Sequence, residues 1–365
     1  MSASGKINLS KKSIKNILII NLGGIGDILL STPALKALRE FYPDSRIHLL
    51  AARQASEFAK GLPYIDEIFV FNFNFGLIKI LRNLKALFML RKRKIDLAIN
   101  MRTLVSGKSA LKMRFLLAAI NAKVKAGRDT AGRGGFFDFK IAEEDRPEQH
   151  ETTYNIEMMR ALGIEVKDKA LDFNIEEDSF KKINRILEKE GVTKEDILIC
   201  MHVGGKPSHR WPLENLLQSA EKIGKKIDCK FVLAGGKDDL GPQVCAASRA
   251  IAPLYIKIIN LAGKLSINEL GALIARSNLF IVNDTGPMHI AAALKAPLVA
   301  IFGPGYMAQF DPRRISDKAV VLYKKADCSP CNKAYCDSMK CLKAISPEEV
   351  TNAALELLTY AKKNL

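Results

Sequence analysis

Short apolar runs alternate with helical patterns along the whole chain. The β-rich runs are Ile17–Ile20, Ile47–Leu50, Glu67–Phe71 and Leu97–Ile99 in the first half, and Ile197–His202, Phe231–Ala234, Leu279–Val282, Leu298–Phe302 and Ala319–Leu322 in the second. The main helical patterns between them are Pro33–Phe41, Ser109–Ile120, Leu213–Lys222, Asn268–Ala275 and His289–Leu294. Strands that alternate with helices predict βαβ units, and therefore parallel sheets.

This alternation occurs twice in a chain of 365 residues, a length typical of about two domains. It predicts two doubly wound α/β domains. The charged, helical stretch Leu171–Val192 contains the predicted boundary, which divides the chain into residues 1–175 and 176–345. A final helix, Pro347–Lys363, has no strand after it and forms a C-terminal segment of residues 346–365.

The composition is that of an ordinary globular chain, with 48% hydrophobic and 26% charged residues, which is ample for two cores. No run approaches the ~18 consecutive apolar residues that a membrane-spanning helix needs. The N-terminal segment Met1–Asn16 is polar and basic, and it lacks the apolar region of a signal peptide. We therefore predict a cytoplasmic location.

The net charge of +17 implies an anionic partner, such as nucleic acid, a phospholipid surface or a phosphorylated substrate. Seven basic residues lie between Lys79 and Lys94, interleaved with apolar ones, and the aromatic-rich stretch Phe69–Phe75 precedes them. Such a basic amphipathic helix can lie on an anionic membrane surface. The alternative is a packing helix with a solvated basic face, which is the commoner arrangement for a charge run.

The most informative turn is Asn283–His289, which follows the apolar run Leu279–Val282 and precedes a good helix-forming segment. The start of a helix presents unpaired backbone N–H groups and the positive end of a dipole, so it binds anions, above all phosphate. Asp284 or Thr285 can cap this helix, and Gly286 lets the backbone approach a ligand. The local chemistry fits a capped turn without a ligand equally well.

The first strand ends in a second glycine-rich turn, Asn21–Asp27. Gly24 and Gly26 are not followed by the third glycine of a dinucleotide-binding fingerprint, because Leu29 stands in its place. Asp27 sits at the opening of the next helix. Its local chemistry favours a capping role, and the functional alternative is a general base above an inter-domain crevice.

Further strand ends supply more candidates for anion binding. The loop His202–Pro212 contains the only tryptophan, and its glycine and cationic residues are Gly204, Gly205, Lys206, His209 and Arg210. Gly235 and Gly236 follow the next strand, where a turn can hold the base or ribose of a nucleotide. Phe302–Gly305 can form another wall of the same pocket. Each of these segments can also be a turn and nothing more.

Four of the seven cysteines fall close together, at Cys328, Cys331, Cys336 and Cys341. Four thiolates at such short separations can hold a structural Zn²⁺ ion, although the spacing matches no standard zinc module. The alternative is a set of reduced or redox-labile thiols, since a reducing cytosol disfavours disulfides. The other cysteines, Cys200, Cys229 and Cys245, are predicted to be core residues, and His48 and His150 to be structural.

Four sequence blocks, taken together and in this order, resemble glycosyltransferase family 9, the lipopolysaccharide heptosyltransferases. The blocks are Gly26–Leu35, Arg210–Pro212, Asn283–His289 with Ala291–Ala293, and Phe302–Pro304. A further block, Cys328–Cys331 with Ile345–Val350, is similar to the subgroup that contains heptosyltransferase II. The resemblance covers nearly the whole chain.

This resemblance implies a GT-B fold, in which two Rossmann-like domains face each other across a cleft and the last helix crosses back to the N-terminal domain. It also implies an inverting transfer of heptose from ADP-heptose to the inner core of lipopolysaccharide, at the inner face of the membrane and with no cofactor required. The N-terminal domain would bind the acceptor, and the C-terminal domain the nucleotide sugar.

The resemblance also assigns roles to residues. The family's aspartate that matches Asp27 is the proposed catalytic base, and the block Asp284–Gly286 would bind the donor diphosphate. The predicted donor site comprises Gly204, Lys206, His209, Arg210, Gly235, Gly236, Asp284, Thr285, Gly286 and His289, and the predicted acceptor site Gly26, Arg102 and Lys108. Family members commonly carry lysine where this chain has His209. Lys206 or Arg210 must therefore substitute, or phosphate is held more weakly.

Two other functions stay open at this point. The first is a glycosyltransferase of the same fold that uses another nucleotide sugar. The second is a non-catalytic protein bound to an anionic membrane or to nucleic acid. No nucleic-acid-binding motif accompanies the charge and aromatic residues make up only 7% of the chain, so we expect no nucleic-acid partner. A nicotinamide-dependent oxidoreductase is more distant, because the third glycine is missing.

Overall fold

The chain folds into two compact units, Met1–Asp172 and Phe173–Leu365. The structure, a computed structural model, describes residues 9, 13–71, 77–239 and 256–363. The division between the units falls inside the charged stretch in which the sequence places the boundary. Each unit contains one six-stranded sheet with helices between its strands.

The first unit is built on a sheet of order β3-β2-β1-β4-β5-β6, and every pair of neighbours is parallel. Its strands are β1 (Asn16–Asn21), β2 (Arg46–Ala52), β3 (Glu67–Phe71), β4 (Leu97–Asn100), β5 (Val124–Thr130) and β6 (Phe139–Glu143). Its helices are α1 (Ile25–Leu29), α2 (Thr32–Phe41), α3 (Arg53–Lys60), α4 (Leu77–Lys92), α5 (Gly107–Ile120) and α6 (Glu151–Ala161).

The second unit repeats this plan with a parallel sheet of order β12-β11-β10-β7-β8-β9. Its strands are β7 (Leu198–His202), β8 (Lys230–Ala234), β9 (Ile258–Asn260), β10 (Leu279–Asn283), β11 (Leu298–Phe302) and β12 (Ala319–Tyr323). Its helices are α7 (Glu177–Lys189), α8 (Leu213–Gly224), α9 (Ile267–Arg276), α10 (Gly286–Ala293), α11 (Met307–Phe310), α12 (Lys340–Lys343) and α13 (Pro347–Lys363).

Both sheets have the strand order of a Rossmann fold. Counted from the first strand of each unit, the order is 3-2-1-4-5-6 in both cases. The predicted fold class, two doubly wound Rossmann-like domains, is therefore confirmed. In such a sheet the chain reverses its direction of progress between strands 1 and 4, and a crevice opens at their carboxyl ends. These reversals lie between β1 and β4, and between β7 and β10.

Three strands went unrecognised in the sequence. β5 and β6 carry charged residues such as Arg128 and Glu143 at positions that are buried in the structure, so neither strand presents an apolar run. β9 has only three residues, Ile258–Asn260, and is too short to give a pattern. In the first sheet, β5 and β6 lie beyond β4, and in the second sheet, β9 lies beyond β8. The position of the reversal is therefore the same with or without these strands.

Apolar side chains between the sheets and their helices form the cores. In the first unit, one cluster joins β1, β2 and β4 to α4 and α5 through residues such as Leu18, Leu90 and Leu117. In the second unit, a cluster joins the central strands to α8 and α13 and includes Trp211 and Phe231. These layers hold the sheets rigid and leave the loops at the carboxyl ends of the strands to carry polar groups.

The C-terminal helix α13 packs on the second unit. Its buried side chains Val350, Ala353, Ala354 and Leu358 belong to that unit's core, beside α8, β10 and β11. This packing accounts for an apolar helix with no strand after it. The expected crossing of the chain's end to the first unit stays a prediction.

The predictions for the remaining cysteines and for two histidines concern buried positions. Cys200 and Cys229 are buried as predicted, whereas Cys245 lies outside the described residues, as does most of the aromatic stretch before α4. His48 is buried in β2 beside Glu67, and His150 caps α6 by accepting a 3.3 Å hydrogen bond from the Thr152 amide. Both histidines are structural, as predicted.

Candidate active site

Most of the predicted site residues lie in loops at the two sheet reversals. In the first unit, the loops after β1 and β4 carry Asp27 and Arg102. In the second unit, the loops after β7 and β10 carry the segments Gly204–Arg210 and Asp284–Gly286. Because parallel neighbours end at the same edge of a sheet, each pair of loops meets in space.

The turn after β1 holds the Asp27 carboxylate in a defined position. Asp27 lies in the first turn of α1, and its Oδ2 accepts a 2.7 Å hydrogen bond from the Gly24 amide that precedes the helix. The side chain of Asn21 braces the same turn, since it donates to the Asp27 carbonyl and accepts from the Gly23 amide. Asp27 thus has the capping role predicted from local chemistry, with its Oδ1 directed elsewhere.

That second oxygen pairs with Arg102. The Arg102 Nη1 donates to Asp27 Oδ1, in an ion pair whose side chains are 30% and 17% exposed. Asn100 fixes the Arg102 backbone, donating to its carbonyl at 2.7 Å and accepting from its amide at 3.3 Å. Arg102, predicted to contact the acceptor, therefore lies directly against the proposed base.

A buried network of charges lies next to this ion pair. Glu151 Oε1 lies 4.0 Å from Arg102 Nη1, and Glu151 also receives two hydrogen bonds, of 2.9 and 2.7 Å, from the fully buried Arg128. Arg128 further contacts Glu143 at 3.2 Å and Asn155 at 2.7 Å. Burial alone would lower the pKa of Arg128, but the two glutamates outweigh it and raise that pKa. A buried cation shared by two carboxylates needs this geometry for all of its hydrogen bonds. The network therefore holds Glu151, which lies beside Arg102, in place.

Sequence reasoning missed this network. Arg128 and Glu143 lie on the two unrecognised strands, and Glu151 begins α6. A charged residue in an unassigned segment resembles a surface residue, and only the strand pairing shows that it is buried.

The other two predicted acceptor residues are not part of the Asp27–Arg102 pair. Gly26 is buried within α1, one residue before Asp27, where it contributes backbone to the turn. Lys108 is exposed in the first turn of α5. Its ammonium can meet an anion at that surface, but the structure does not bring it to the carboxylate.

In the second unit, one buried asparagine ties the loop after β7 to the loop after β10. The Asn283 amide donates to the carbonyls of Gly204 at 3.0 Å and His202 at 3.4 Å, and its oxygen accepts from the Trp211 amide at 3.1 Å. The indole of Trp211 donates in turn to the Ile345 carbonyl at 3.1 Å. The polar turn and the tryptophan loop, which the sequence shows as separate motifs, are therefore one connected structure.

Arg210 joins this structure to the loop after β8. Its Nε donates to the Gly205 carbonyl at 2.6 Å, and its Nη2 donates to Asp239 Oδ1 at 2.6 Å. Asp239 Oδ2 accepts from the Gly236 amide at 2.8 Å. Of the predicted donor residues, Gly204, Arg210 and Gly236 thus surround a single carboxylate, and neighbouring Gly235 is half-buried at the end of β8.

The start of α10 is close to the same loop. Gly205 has φ +131°, a conformation open only to glycine, and a Cβ there would lie 2.6 Å from the Thr285 methyl group. Thr285 occupies the position before the helix, but its side chain does not cap it. The hydroxyl donates instead to the Asn283 carbonyl at 3.2 Å. Of the two caps that the sequence allows, Asp284 or Thr285, the one by Thr285 is not formed, because its hydroxyl is directed back along the turn, away from the amides of the first helical turn.

His209 is not a cation at neutral pH. Burial, reinforced by the positive charge of Lys206, lowers the pKa of His209 to about 4. Its Nε2 lies 3.8 Å from Asp284 Oδ2, which is beyond hydrogen-bonding distance. Lys206 is exposed, so of these two side chains only Lys206 presents a charge to a ligand.

His289 is a core residue. Its ring is 4% exposed and packs against Phe310, with the ring centroids 5.8 Å apart. It follows the turn that is predicted to bind an anion, but it faces inward from α10. Its part in the predicted donor site is therefore to support the helix.

The cysteine-bearing segment packs against the same loops. The Cys331 and Asn332 amides donate to the Pro304 carbonyl at 3.1 and 2.8 Å, and the Ser208 hydroxyl donates to the Lys333 carbonyl. Cys328, Cys331, Cys336 and Cys341 are free thiols that range from exposed to buried. Within the described parts of the chain, no three His, Cys, Asp or Glu side chains are placed so that they could hold a metal ion. The predicted zinc site stays a prediction.

Two Rossmann-like sheets of this order are the fold of the GT-B class of glycosyltransferases. Glycosyltransferase family 9 (heptosyltransferase) matches residues 84–342. The chain belongs to this family of lipopolysaccharide biosynthesis.

Its relatives carry matching names. It is 29% identical over 300 residues to lipopolysaccharide heptosyltransferase 3 of Escherichia coli, covering 76% of this chain and 80% of that one. It is 27% identical over 342 residues to lipooligosaccharide heptosyltransferase 2 of Campylobacter jejuni subsp. jejuni, covering 92% and 95%.

Solved structures agree. A family 9 glycosyltransferase from Veillonella parvula superposes with a TM-score of 0.73 at 28% identity, covering 95% of this chain and 97% of that one. The E. coli ADP-heptose lipopolysaccharide heptosyltransferase II gives a TM-score of 0.70 at 23% identity, with coverages of 95% and 99%. None of the helices that the structure describes combines the length and apolarity needed to cross a bilayer.

The buried histidines predict a stability that depends on pH. Burial lowers the pKa values of His202 and His209 to about 4, from about 6.5 in an unfolded chain. Between these values the unfolded chain takes up protons that the folded one does not. The free energy of unfolding should therefore be highest above pH 6.5. It should decrease towards pH 4, by up to about 3 kcal/mol per histidine.

Denaturant titrations followed by the fluorescence of Trp211, the only tryptophan, report on the second unit. His209→Asn should make the decline shallower than in the parent protein. An identical decline in both proteins would show that His209 does not cause it.

The close packing at Gly23 predicts a second effect. A Cβ at Gly23 would overlap the Asp27 carboxylate, so Gly23→Ala must displace that side chain. We expect glycosyl transfer to fall by at least about tenfold, because small misplacements of a reacting group are costly. Gly24→Ala is the matched control, since its Cβ would lie 3.8 Å from the nearest Asp27 oxygen. Equal activity of the two variants would contradict a need for this geometry.

Proposed function

We propose that the protein transfers heptose from ADP-heptose, with inversion, to the inner core of lipopolysaccharide at the inner face of the membrane. We also propose that it belongs to the subgroup that contains heptosyltransferase II, which the block Cys328–Cys331 with Ile345–Val350 resembles. The observation that carries the proposal is the position of Asp27, which is held at the sheet reversal of the first unit by the Gly24 amide and by Arg102. A carboxylate fixed at such a strand end is suited to act as a general base.

In this reaction Asp27 accepts the proton of the acceptor hydroxyl. The hydroxyl oxygen then forms a bond to the anomeric carbon while the bond from that carbon to the ADP oxygen breaks, with its electrons leaving on the diphosphate. Attack opposite to the leaving group inverts the anomeric configuration. The proposal requires the acceptor hydroxyl to come within hydrogen-bonding distance of a carboxylate oxygen.

Arg102 has a second task in this scheme. Its guanidinium occupies one oxygen of Asp27, and its side chain is 30% exposed. An acceptor that carries phosphate offers Arg102 a stronger partner, because guanidinium binds phosphate in bidentate fashion. Movement of Arg102 towards that phosphate frees the carboxylate oxygen for the hydroxyl.

The second unit supplies the site for the leaving diphosphate. The first amides of α10, beginning at Gly286, carry the positive end of the helix dipole. Lys206 adds an exposed cation on the neighbouring loop, whereas the neutral His209 adds none. Lys206 would thus replace the lysine that family members commonly carry at the position of His209. These groups stabilise the charge that develops on ADP.

Asp27→Asn tests the role of the base. The amide keeps the size of the side chain but cannot accept the proton, so transfer should fall by at least about a hundredfold. ADP affinity, measured by calorimetry, should stay within a few-fold because the diphosphate site lies in the other unit. Transfer at a near-normal rate would overturn the assignment of Asp27.

The loop before Arg210 provides a test of donor binding. Gly205→Ala introduces strain at φ +131° and a contact with Thr285, so we expect ADP binding to weaken by about tenfold or more. Gly191→Ala is the control, because Gly191 also has a positive φ, of +74°, but a Cβ there meets nothing within 4 Å. Equal losses in both variants would trace the effect to general backbone strain.

The identity of the donor needs a separate comparison. Thermal shifts and turnover should be measured with ADP-heptose and with UDP- and GDP-sugars. We expect ADP-heptose to give the largest stabilisation and to be turned over. Preference for a uridine or guanosine donor would leave a glycosyltransferase of the same fold with a different substrate.

A further inference from the structure

The exposed hydrophobic side chains are concentrated on one surface of the first unit. In the described residues, the large hydrophobic side chains that are exposed are Ile78, Ile80, Leu81, Leu84, Phe88, Met89, Val105, Leu111, Phe115 and Tyr335. All except Tyr335 lie on α4, on α5 or in the loop before α5. Scattered exposed hydrophobics are normal, but such a cluster marks an interaction site.

α4 has two apolar faces. Ala86 and Leu90 are buried in the core of the first unit. Ile80, Leu84 and Phe88 recur every four residues, so they share the face opposite to the buried one, and Phe88 is 59% exposed. Within the described part of the unit, no other element covers this second apolar face.

α5 continues this surface. Met113 and Leu117 pack into the same core as α4, while Leu111 and Phe115 face outward, with Phe115 67% exposed. The helices are neighbours, since Arg91 Nη1 donates to the Ala119 carbonyl at 3.0 Å. Their outward sides therefore form one continuous area, which we call the α4–α5 surface.

The charge of this surface has a single sign. α4 carries Lys79, Arg82, Lys85, Arg91 and Lys92, and α5 carries Lys108, Lys112 and Arg114. Neither helix contains an aspartate or glutamate. The apolar and cationic groups are intermixed, as shown by the Lys92 ammonium 4.5 Å from the centre of the Phe88 ring.

We propose that the α4–α5 surface docks on a bilayer of anionic phospholipid, with its apolar side chains at the boundary of the acyl chains and its lysines and arginines among the headgroups. Apolar side chains interspersed with cations, without carboxylates, are what a negatively charged membrane surface binds. This inference rests on the exposed side chains and their charges, and it holds whichever sugar the protein transfers.

A second copy of the chain is the competing occupant of this surface. A symmetric dimer through the α4–α5 surface would oppose the cations of one copy to the same cations of the other. Like charges brought together across an interface are unfavourable by several kcal/mol. The charge pattern therefore favours lipid over self-association.

Vesicle co-sedimentation of the full chain tests the proposal. We expect binding to vesicles that contain phosphatidylglycerol, weaker binding as salt is raised, and little binding to pure phosphatidylcholine. Leu84→Ser with Phe115→Ser should lower the partition coefficient by at least about tenfold, since two apolar side chains leave the interface. Both positions are exposed, so the fold should be retained, and an unchanged thermal midpoint checks this.

A second pair of variants tests whether binding depends on where a charge lies, at the same change in net charge. Lys85→Glu should weaken binding to phosphatidylglycerol vesicles by about tenfold or more, because it removes one cation and adds one anion. Lys189→Glu, at an exposed position of α7 in the second unit, changes the net charge by the same amount and should leave binding within about twofold.

Two results would overturn the proposal. The first is equal loss of binding in Lys85→Glu and Lys189→Glu, which would mean that net charge alone drives adsorption. The second is a dimer in solution that becomes monomeric in the Leu84→Ser, Phe115→Ser variant while the parent protein binds no vesicles. That outcome would assign the surface to a second copy. Turnover with soluble substrates tests the proposed function separately.

Discussion

The parallel pairing of β1 with β4, and of β7 with β10, is the constraint on which the remaining structure depends. Parallel neighbours end at the same edge of a sheet, and the reversal of strand order leaves a crevice there that no crossover helix covers. Asp27 meets Arg102 for this reason, although 75 residues separate them in sequence. Asn283 reaches the loop after β7 for the same reason, across 79 residues to Gly204. Polar and charged side chains therefore meet at the strand ends where no crossover helix covers the sheet.

The first unit stabilises its crevice with buried charge. Arg128 lies in the interior, where an unpaired guanidinium would be very costly, and Glu143, Glu151 and Asn155 satisfy it together. Such a set tolerates little displacement, because any partner that moves leaves another unsatisfied. The second unit uses the neutral side chain of Asn283, which bridges two loops, and a partly buried ion pair between Arg210 and Asp239. The same Rossmann fold is thus held rigid in two different ways, by buried charges in the first unit and by a buried amide in the second.

The sequence predicts the strands that are apolar and the turns that are rich in glycine, because both signals are local. The Asp27 and Asp284–Gly286 turns were found in this way. It does not show the charged strands β5 and β6, since the burial of Arg128 and Glu143 depends on partners far along the chain. The sequence shows that His209 replaces a lysine, but it does not show the burial that lowers the pKa of His209, because the contact with Asn332 comes from a segment distant in sequence.

The ion pair between Asp27 and Arg102 has a consequence for a protein that waits with its donor bound. Under the proposed mechanism, a free carboxylate near an activated sugar would also activate water, and the nucleotide sugar would be hydrolysed to no purpose. With one oxygen contacted by the guanidinium and the other by the Gly24 amide, about two of the four lone-pair sites of the carboxylate are already taken, so fewer remain for a water molecule. Under that mechanism, the contact with Arg102 that orients Asp27 would also slow hydrolysis of the donor until an acceptor with a suitable anion arrives.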